Sequence, residues 1–154
     1  MYIIIIMTLI LASRNINLPI DKVWQIISDV DKDPQYWHGT KSTKNIKKEG
    51  NTIERESTLS FKNRKCREII ELESNNIYQI DIQIIEGPII GKKTINLEKI
   101  DENNTKINVT WNIHLNGISR FFTIFIKKHI LKGTEEALER ISKMAMGQTT
   151  EKKI

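Results

Sequence analysis

Residues 16–37 read INLPIDKVWQIISDVDKDPQYW, and they decide how the rest of the chain is read. Ile16 and Leu18 end an apolar strand that starts near Thr8, and Pro19 stops its ladder because it has no N–H to donate. Asp21 is placed to cap a helix that runs to about Val30. Val23, Trp24, Ile27 and Ile26 form its apolar stripe. Asp31 or Asp33 caps a second short turn containing Pro34, which Tyr36 and Trp37 close. From there to residue 115 the pattern is strands alone.

Those strands follow from alternation and turn residues. Ser42–Lys48 is a polar edge segment, and Gly50-Asn51 is a turn. In 52–61, Ile53, Arg55, Ser57, Leu59 and Phe61 share one face. Asn63-Arg64 turns the chain into Lys65–Glu73, and residues 74–76 turn it again. In 77–86, Tyr78, Ile80, Ile82 and Ile84 share a face. Gly87-Pro88 breaks that run, and Gly91 lets the chain re-enter at Lys93–Ile100, which carries Ile95. After residues 101–104, Ile107, Val109, Trp111, Ile113 and Leu115 alternate with polar neighbours. Short connections imply an antiparallel meander, which needs a cover on its apolar face. The cover is a helix from about Ile118 to Met146, with Phe122, Ile126, Ile130, Ala137, Ile141 and Met144 at helical spacing. Gly133 marks a bend in it or a close approach to the sheet, and Gly147 ends it. The reading is an α+β chain: six to seven strands wrapped on a long C-terminal helix, one domain over 1–147, and a frayed tail over 148–154.

Composition narrows the function. The 154 residues are 39% hydrophobic and 28% charged, with a net charge of +5. The basic residues are scattered among acidic ones, so a mixed solvated surface explains them better than nucleic acid does. Residues 2–12 are apolar but shorter than the roughly 20 residues that span a bilayer. They lack the basic start of a signal peptide and read as a buried strand. Met7 offers a competing start to Met1. Cys66 is the sole cysteine, which excludes an internal disulfide and fits the cytoplasm. One Cys and three dispersed His offer no metal spacing, and nothing calls for a cofactor.

The order of these elements resembles the helix-grip fold. More narrowly it resembles the START-like group (the SRPBCC superfamily) that includes polyketide cyclase/dehydrase-like proteins. The matching residues are Ile16-Asn17-Leu18-Pro19, Val23-Trp24, Ser28-Asp29 and Pro34 to Trp37, then Gly87-Pro88 with Gly91, and Thr105 to Trp111. The resemblance implies a hydrophobic tunnel between sheet and last helix. Some members of the superfamily bind lipids, sterols or quinones, some cyclise polyketides, and others act through protein partners.

Turn arithmetic selects the tunnel residues. A hairpin turn at Asn63-Arg64 sets Leu59 opposite Glu68, Ser57 opposite Ile70 and Arg55 opposite Leu72. Arg55, Ser57 and Glu68 then share the concave face with Tyr78 and Trp111, and a slip of one residue would turn them all to solvent. Arg55 suits a ligand carboxylate or Glu68, and Trp111 and Tyr78 suit a flat ligand or plain core. The candidate ligand-binding set is Arg55, Ser57, Leu59, Glu68, Ile70, Tyr78, Ile80, Ile82, Ile95, Trp111, Phe122 and Ile126, and Arg55, Glu68 and Tyr78 are weak catalytic candidates. Trp24 and Trp37 read as packing, with Trp37 and His38 near an entrance. His38, His114 and His129 have no reason to converge, and Cys66 reads as a buried inert thiol.

The terminal helix carries apolar residues on more than one face. Phe121, Ile124 and Phe125 beside Lys127, Lys128 and Lys132 suit deeper burial, a membrane surface or a homodimer contact, and burial is the preferred reading. The absence of a catalytic constellation favours a binding or transport protein for a lipid, isoprenoid, quinone or polyketide-like molecule. A cyclase/dehydratase enzyme is the rival. A protein-interaction module docking through Phe121–Phe125 is the third reading.

Overall fold

The computed structural model describes residues 7–115 and 120–147. The Ile118 helix start and the frayed tail lie outside these residues. The elements in order are β1 (Thr8–Ile16), α1 (Ile20–Ile27), a 3-10 turn (Val30–Lys32), α2 (Asp33–Tyr36), β2 (Thr40–Glu49), β3 (Thr52–Leu59), β4 (Lys65–Glu73), β5 (Gln79–Glu86), β6 (Ile89–Asp101), β7 (Asn104–Leu115) and α3 (Arg120–Gly147). The seven strands form one antiparallel sheet in the order β1-β7-β6-β5-β4-β3-β2. β1 and β2 are its two edges, so the α1–α2 segment carries the chain from one edge to the other. α3 lies against β1 and β7 and against both short helices. This is the helix-grip fold.

The core lies between the sheet and the helices. Val23 and Ile27 of α1 are buried with Ile16, Ile70, Ile80, Ile95, Ile107 and Val109, and the C-terminal half of α3 adds Ala137, Leu138 and Ile141. Each such aliphatic side chain contributes about 1.5–3 kcal/mol by leaving water. Two cross-links fix the helices on this core. The Thr105 hydroxyl donates to the Leu18 carbonyl at 2.8 Å, and Arg140 Nη1 donates to the Tyr36 carbonyl at 2.8 Å.

Several local expectations are corrected. Pro19, not Asp21, precedes α1, and no side chain caps the helix. Asp21 instead accepts a 2.6 Å hydrogen bond from the Tyr78 hydroxyl. The β3–β4 connection is longer than two residues. Leu59 N–H donates to the Arg64 carbonyl, and Lys62 and Asn63 take left-handed φ values of 51° and 53°. This pairs Arg55 directly with Glu68 and Ser57 with Cys66. The displacement of four residues is even, so every side chain keeps its face. Phe61 falls in the turn and is exposed. β6 begins before Gly91 and runs through it. The burial preferred for the start of α3 is also overturned, because Phe121, Phe122, Ile124 and Phe125 are exposed.

Two of the glycines singled out in sequence do opposite things. Gly91 has φ +142°, and a Cβ there would sit 2.3 Å from the Asn112 carbonyl oxygen. It lets β6 cross β7 at close range. Gly133 lies inside the unbroken α3, and a Cβ there meets nothing within 4 Å, so it marks neither a break nor a close approach. Gly91→Ala is therefore expected to destabilise the fold by roughly 2 kcal/mol or more, and Gly133→Ala to stabilise it by up to about 1 kcal/mol. Urea unfolding of the two variants checks both signs.

Candidate functional site

A buried ionic cluster sits where α2 meets the sheet. Arg55 faces inward because Ile53, Arg55 and Ser57 share the buried phase of β3. Its side chain is only 4% exposed, and all three guanidinium nitrogens are used. Nε donates to Glu68 Oε2 at 2.8 Å, Nη2 to Asp33 Oδ2 at 2.8 Å, and Nη1 to the Val30 carbonyl at 3.0 Å. Glu68 reaches it as the direct cross-strand partner, and Asp33 from the first position of α2. Two carboxylates can be held in a dry interior because one planar cation satisfies both. Burial pushes the Asp33 carboxyl up, against the pull of the Arg55 and Lys93 charges.

Lys93 is the fourth member. It projects from β6 and is 6% exposed. Its Nζ lies 3.0 Å from the centre of the Trp37 ring and 4.6 Å from that of Trp111. Among the described residues no carboxylate lies within ion-pair distance of it, and Asp33 and Glu68 pair with Arg55 instead. Burial pushes its ammonium down to about 7, the Asp33 and Glu68 charges oppose this, and Arg55 adds to it. The rings supply a cation–π attraction but no lone pair.

This cluster forms one end of a cavity of about 610 Å³. The sheet contributes Ile82 and Ile84 of β5 and Trp111 and Leu115 of β7, and α3 contributes Ile126, Ile130 and Thr134. The size suits a drug-sized ligand, and an apolar wall with a few polar groups at one place is the usual design of such sites. Trp37 and Trp111 meet edge to face at 6.3 Å. Trp111 Nε1 donates to Thr134 Oγ1 at 3.0 Å, and that hydroxyl donates to the Ile130 carbonyl at 2.7 Å, which ties α3 to the cavity wall. His38, Gly39, Ser60 and Phe61 border the opening on one side, and His129, Lys132 and Gly133 on the other. The Ser60 hydroxyl and N–H bind the carbonyls of His38 and Gly39, so the two loops form one rim. Cys66 also touches the cavity, but desolvation pushes its thiol up to about 11, which leaves it a poor nucleophile.

The structure divides the sequence-selected residues. Arg55, Leu59, Glu68, Ile82, Trp111 and Ile126 line the cavity. Ile70, Ile80 and Ile95 lie in the packed core beside α1. Ser57 is fully buried outside the lining, and its hydroxyl has no hydrogen-bond partner. Tyr78 precedes β5 rather than belonging to it, with φ +50°, its hydroxyl on Asp21 and its ring edge-on to Trp24 at 5.7 Å. Phe122 is on the surface. The division follows the rows of the sheet. The row Leu72, Ile80, Ile95, Val109 is packed in the core with α1, whereas the row Arg55, Glu68, Ile84 meets α2 only at its β3 end and lines the cavity. Asp33 and Lys93 escaped the sequence reading. Asp33 passed as a helix cap, but Lys93 shares the parity of Ile95 and Leu97 and was legible as inward. His38 and His129 are exposed at the rim, and among the described residues no three His, Cys, Asp or Glu side chains gather as a metal site. No described helix is long and apolar enough to cross a membrane.

A family profile described as polyketide cyclase / dehydrase and lipid transport matches residues 7–146. The chain belongs to that family. No curated protein matches it in sequence. Among solved structures it is similar to a protein of Thermus thermophilus, with a TM-score of 0.77 and 18% identity, over 92% of this chain and 99% of that one. It is similar to the Zhui aromatase/cyclase of a Streptomyces species, with a TM-score of 0.77 and 12% identity, over 93% and 96%. It is also similar to norcoclaurine synthase of Thalictrum flavum, with a TM-score of 0.73 and 17% identity, over 96% and 99%. Identities this low carry the fold and nothing finer.

Arg55→Met leaves Asp33 and Glu68 buried without a partner and is expected to cost about 3–5 kcal/mol in urea unfolding. Lys93 gives a pH signature. Its folded value of about 7 lies below the ordinary 10.5. Between these values the unfolded chain holds a proton that the folded chain has released, so this residue's contribution to stability rises with pH. The thermal midpoint of the native protein, measured relative to Lys93→Met, is expected to climb from about pH 6 to about pH 9.

Proposed function

We propose that the protein binds and carries a hydrophobic small molecule in the cavity between sheet and α3. The observation that carries this reading is the largely apolar, open-mouthed space of about 610 Å³ with a buried cluster of charged groups, Asp33, Arg55, Glu68 and Lys93, in its wall. The apolar wall supplies affinity, and the polar end fixes which way the ligand points. The family description, which includes lipid transport, supports the same reading. The cyclase/dehydratase alternative draws on the Streptomyces aromatase/cyclase likeness. It loses Tyr78, which is engaged elsewhere, and it must use Arg55 and Glu68 while they hold each other.

The test is titration with a neutral apolar fluorophore, N-phenyl-1-naphthylamine, read by quenching of the indole emission. Trp37 and Trp111 face the cavity, so saturable quenching at one site per chain is expected. Ile130→Phe fills part of the space and is expected to weaken binding about tenfold, a loss of about 1.4 kcal/mol. Absence of saturable binding would sink the reading.

A second observation favours loading and unloading at an anionic membrane surface. Phe121 is 73% exposed, and Phe122, Ile124 and Phe125 are each about 60% exposed on the same stretch of α3. Lys127, Lys128 and Lys132 follow, and Ile126, His129 and Lys132 border the cavity. Apolar side chains beside cations match the two components of an anionic interface. Flotation with phosphatidylserine/phosphatidylcholine vesicles is expected to carry the protein up, phosphatidylcholine alone much less, and Phe125→Asp is expected to abolish it. Flotation that ignores both changes contradicts this role. So does a fall from dimer to monomer mass in Phe125→Asp without any vesicle binding, which would assign the patch to self-association.

A further inference from the structure

Lys93 stands apart from the other basic groups of the cavity. Arg55 is locked by three hydrogen bonds, and Lys132 and Arg140 sit at the rim or beside α2. Among the described residues, Lys93 alone is an amine that is both buried and on the cavity wall. Asp33 from α2 and Glu68 from β4 are the acids that face it, and both are drawn to Arg55 from β3. On its other sides are the indole faces of Trp37 and Trp111. Among the described residues neither acid forms an ion pair with this amine, each giving an oxygen to Arg55 instead, and Lys93 borders the cavity.

Resting on the reading of this cavity as a small-molecule site, we propose that Lys93 Nζ is a nucleophile that captures an apolar aldehyde or ketone as an imine. The amine lone pair forms the C–N bond, and the carbonyl π pair moves to oxygen. The nitrogen gives up a proton as the oxygen gains one, which yields a carbinolamine. That hydroxyl takes up a proton, equivalent to the one the ammonium released to become the free amine, and leaves as water while the nitrogen lone pair forms the C=N double bond. Protonated amine plus carbonyl compound thus becomes protonated imine plus one water, with no oxidant or reductant. The imine carries the same single positive charge at the same place, so the two indole faces and the Asp33 and Glu68 carboxylates receive it as they received the ammonium. The first step needs the free amine. Lys93, held down to about 7 by burial, supplies it at neutral pH, whereas an ordinary solvated lysine near 10.4 is almost wholly protonated.

The experiment uses the full chain, 2-naphthaldehyde and sodium cyanoborohydride at neutral pH, with peptide mapping of the reduced adduct. In parallel, binding of 2-methylnaphthalene, which has no carbonyl group, is followed by indole quenching. The expected result is labelling at Lys93 at least about tenfold faster than at Lys127 or any other lysine. The labelling should be slowed by excess 2-methylnaphthalene and absent from Lys93→Arg. Because the site is read by mapping in the native protein, the result stands even if that variant folds poorly. Labelling spread over the surface lysines with none favoured at Lys93, while 2-methylnaphthalene still binds, overturns the carbonyl-capture inference alone. Failure of both the hydrocarbon and the aldehyde to bind overturns it together with the reading of the cavity.

Discussion

The interaction on which the site depends is the three-way grip of Arg55 on Glu68, Asp33 and the Val30 carbonyl. Charges inside a protein are retained only when paired with good geometry, because desolvating each costs several kcal/mol. A guanidinium can serve two carboxylates and a carbonyl at once, and a lysine ammonium could not do so with the same planar fit. This grip pins α2 and the turn before it to β3 and β4, on the far side of the sheet from β1. It also removes the acids from Lys93. The lowered Lys93 ammonium is chiefly a consequence of its burial, to which the Arg55 charge adds.

The cavity exists because the cover is uneven. α1 and the C-terminal half of α3 press Val23, Ile27, Leu138 and Ile141 onto the sheet and close that part of the concave face. Toward the N-terminal end of α3, Gly133 and Thr134 offer little bulk, and Ile126 and Ile130 remain only half-buried. The sheet is irregular here. Its β4–β5 ladder shifts register at Arg67/Glu68, and Gly87 lies so close to Cys66 that a Cβ would come within 2.6 Å of the sulfur.

Much of the fold was legible because strand alternation and the Pro19-to-Trp37 segment are local signals. The inward phase of β3, β4, β5 and β7 followed from parity, and parity survived a misjudged hairpin because the displacement was even. What sequence could not show was which rows of one concave face are packed and which are open. Ile80 and Ile82 are indistinguishable in pattern, yet only Ile82 touches the cavity. That depends on where α1 ends and how far α3 stands off, which are long-range facts. Asp33 was misread because an acid at a helix start has a sufficient local explanation. Tyr78 was misread because strand alternation was extended two residues before the true start of β5.

The central claim is that a buried lysine lies on the wall of an apolar ligand cavity, against the faces of Trp37 and Trp111. The most direct test is a two-dimensional NMR titration of the lysine ε-methylene signals with and without a bound apolar ligand. One lysine, assigned to residue 93 by its loss in Lys93→Arg, should titrate near 7 and move when N-phenyl-1-naphthylamine is added. If every lysine instead titrates near 10.4 and none responds to the ligand, Lys93 is not in such a cavity and the account fails.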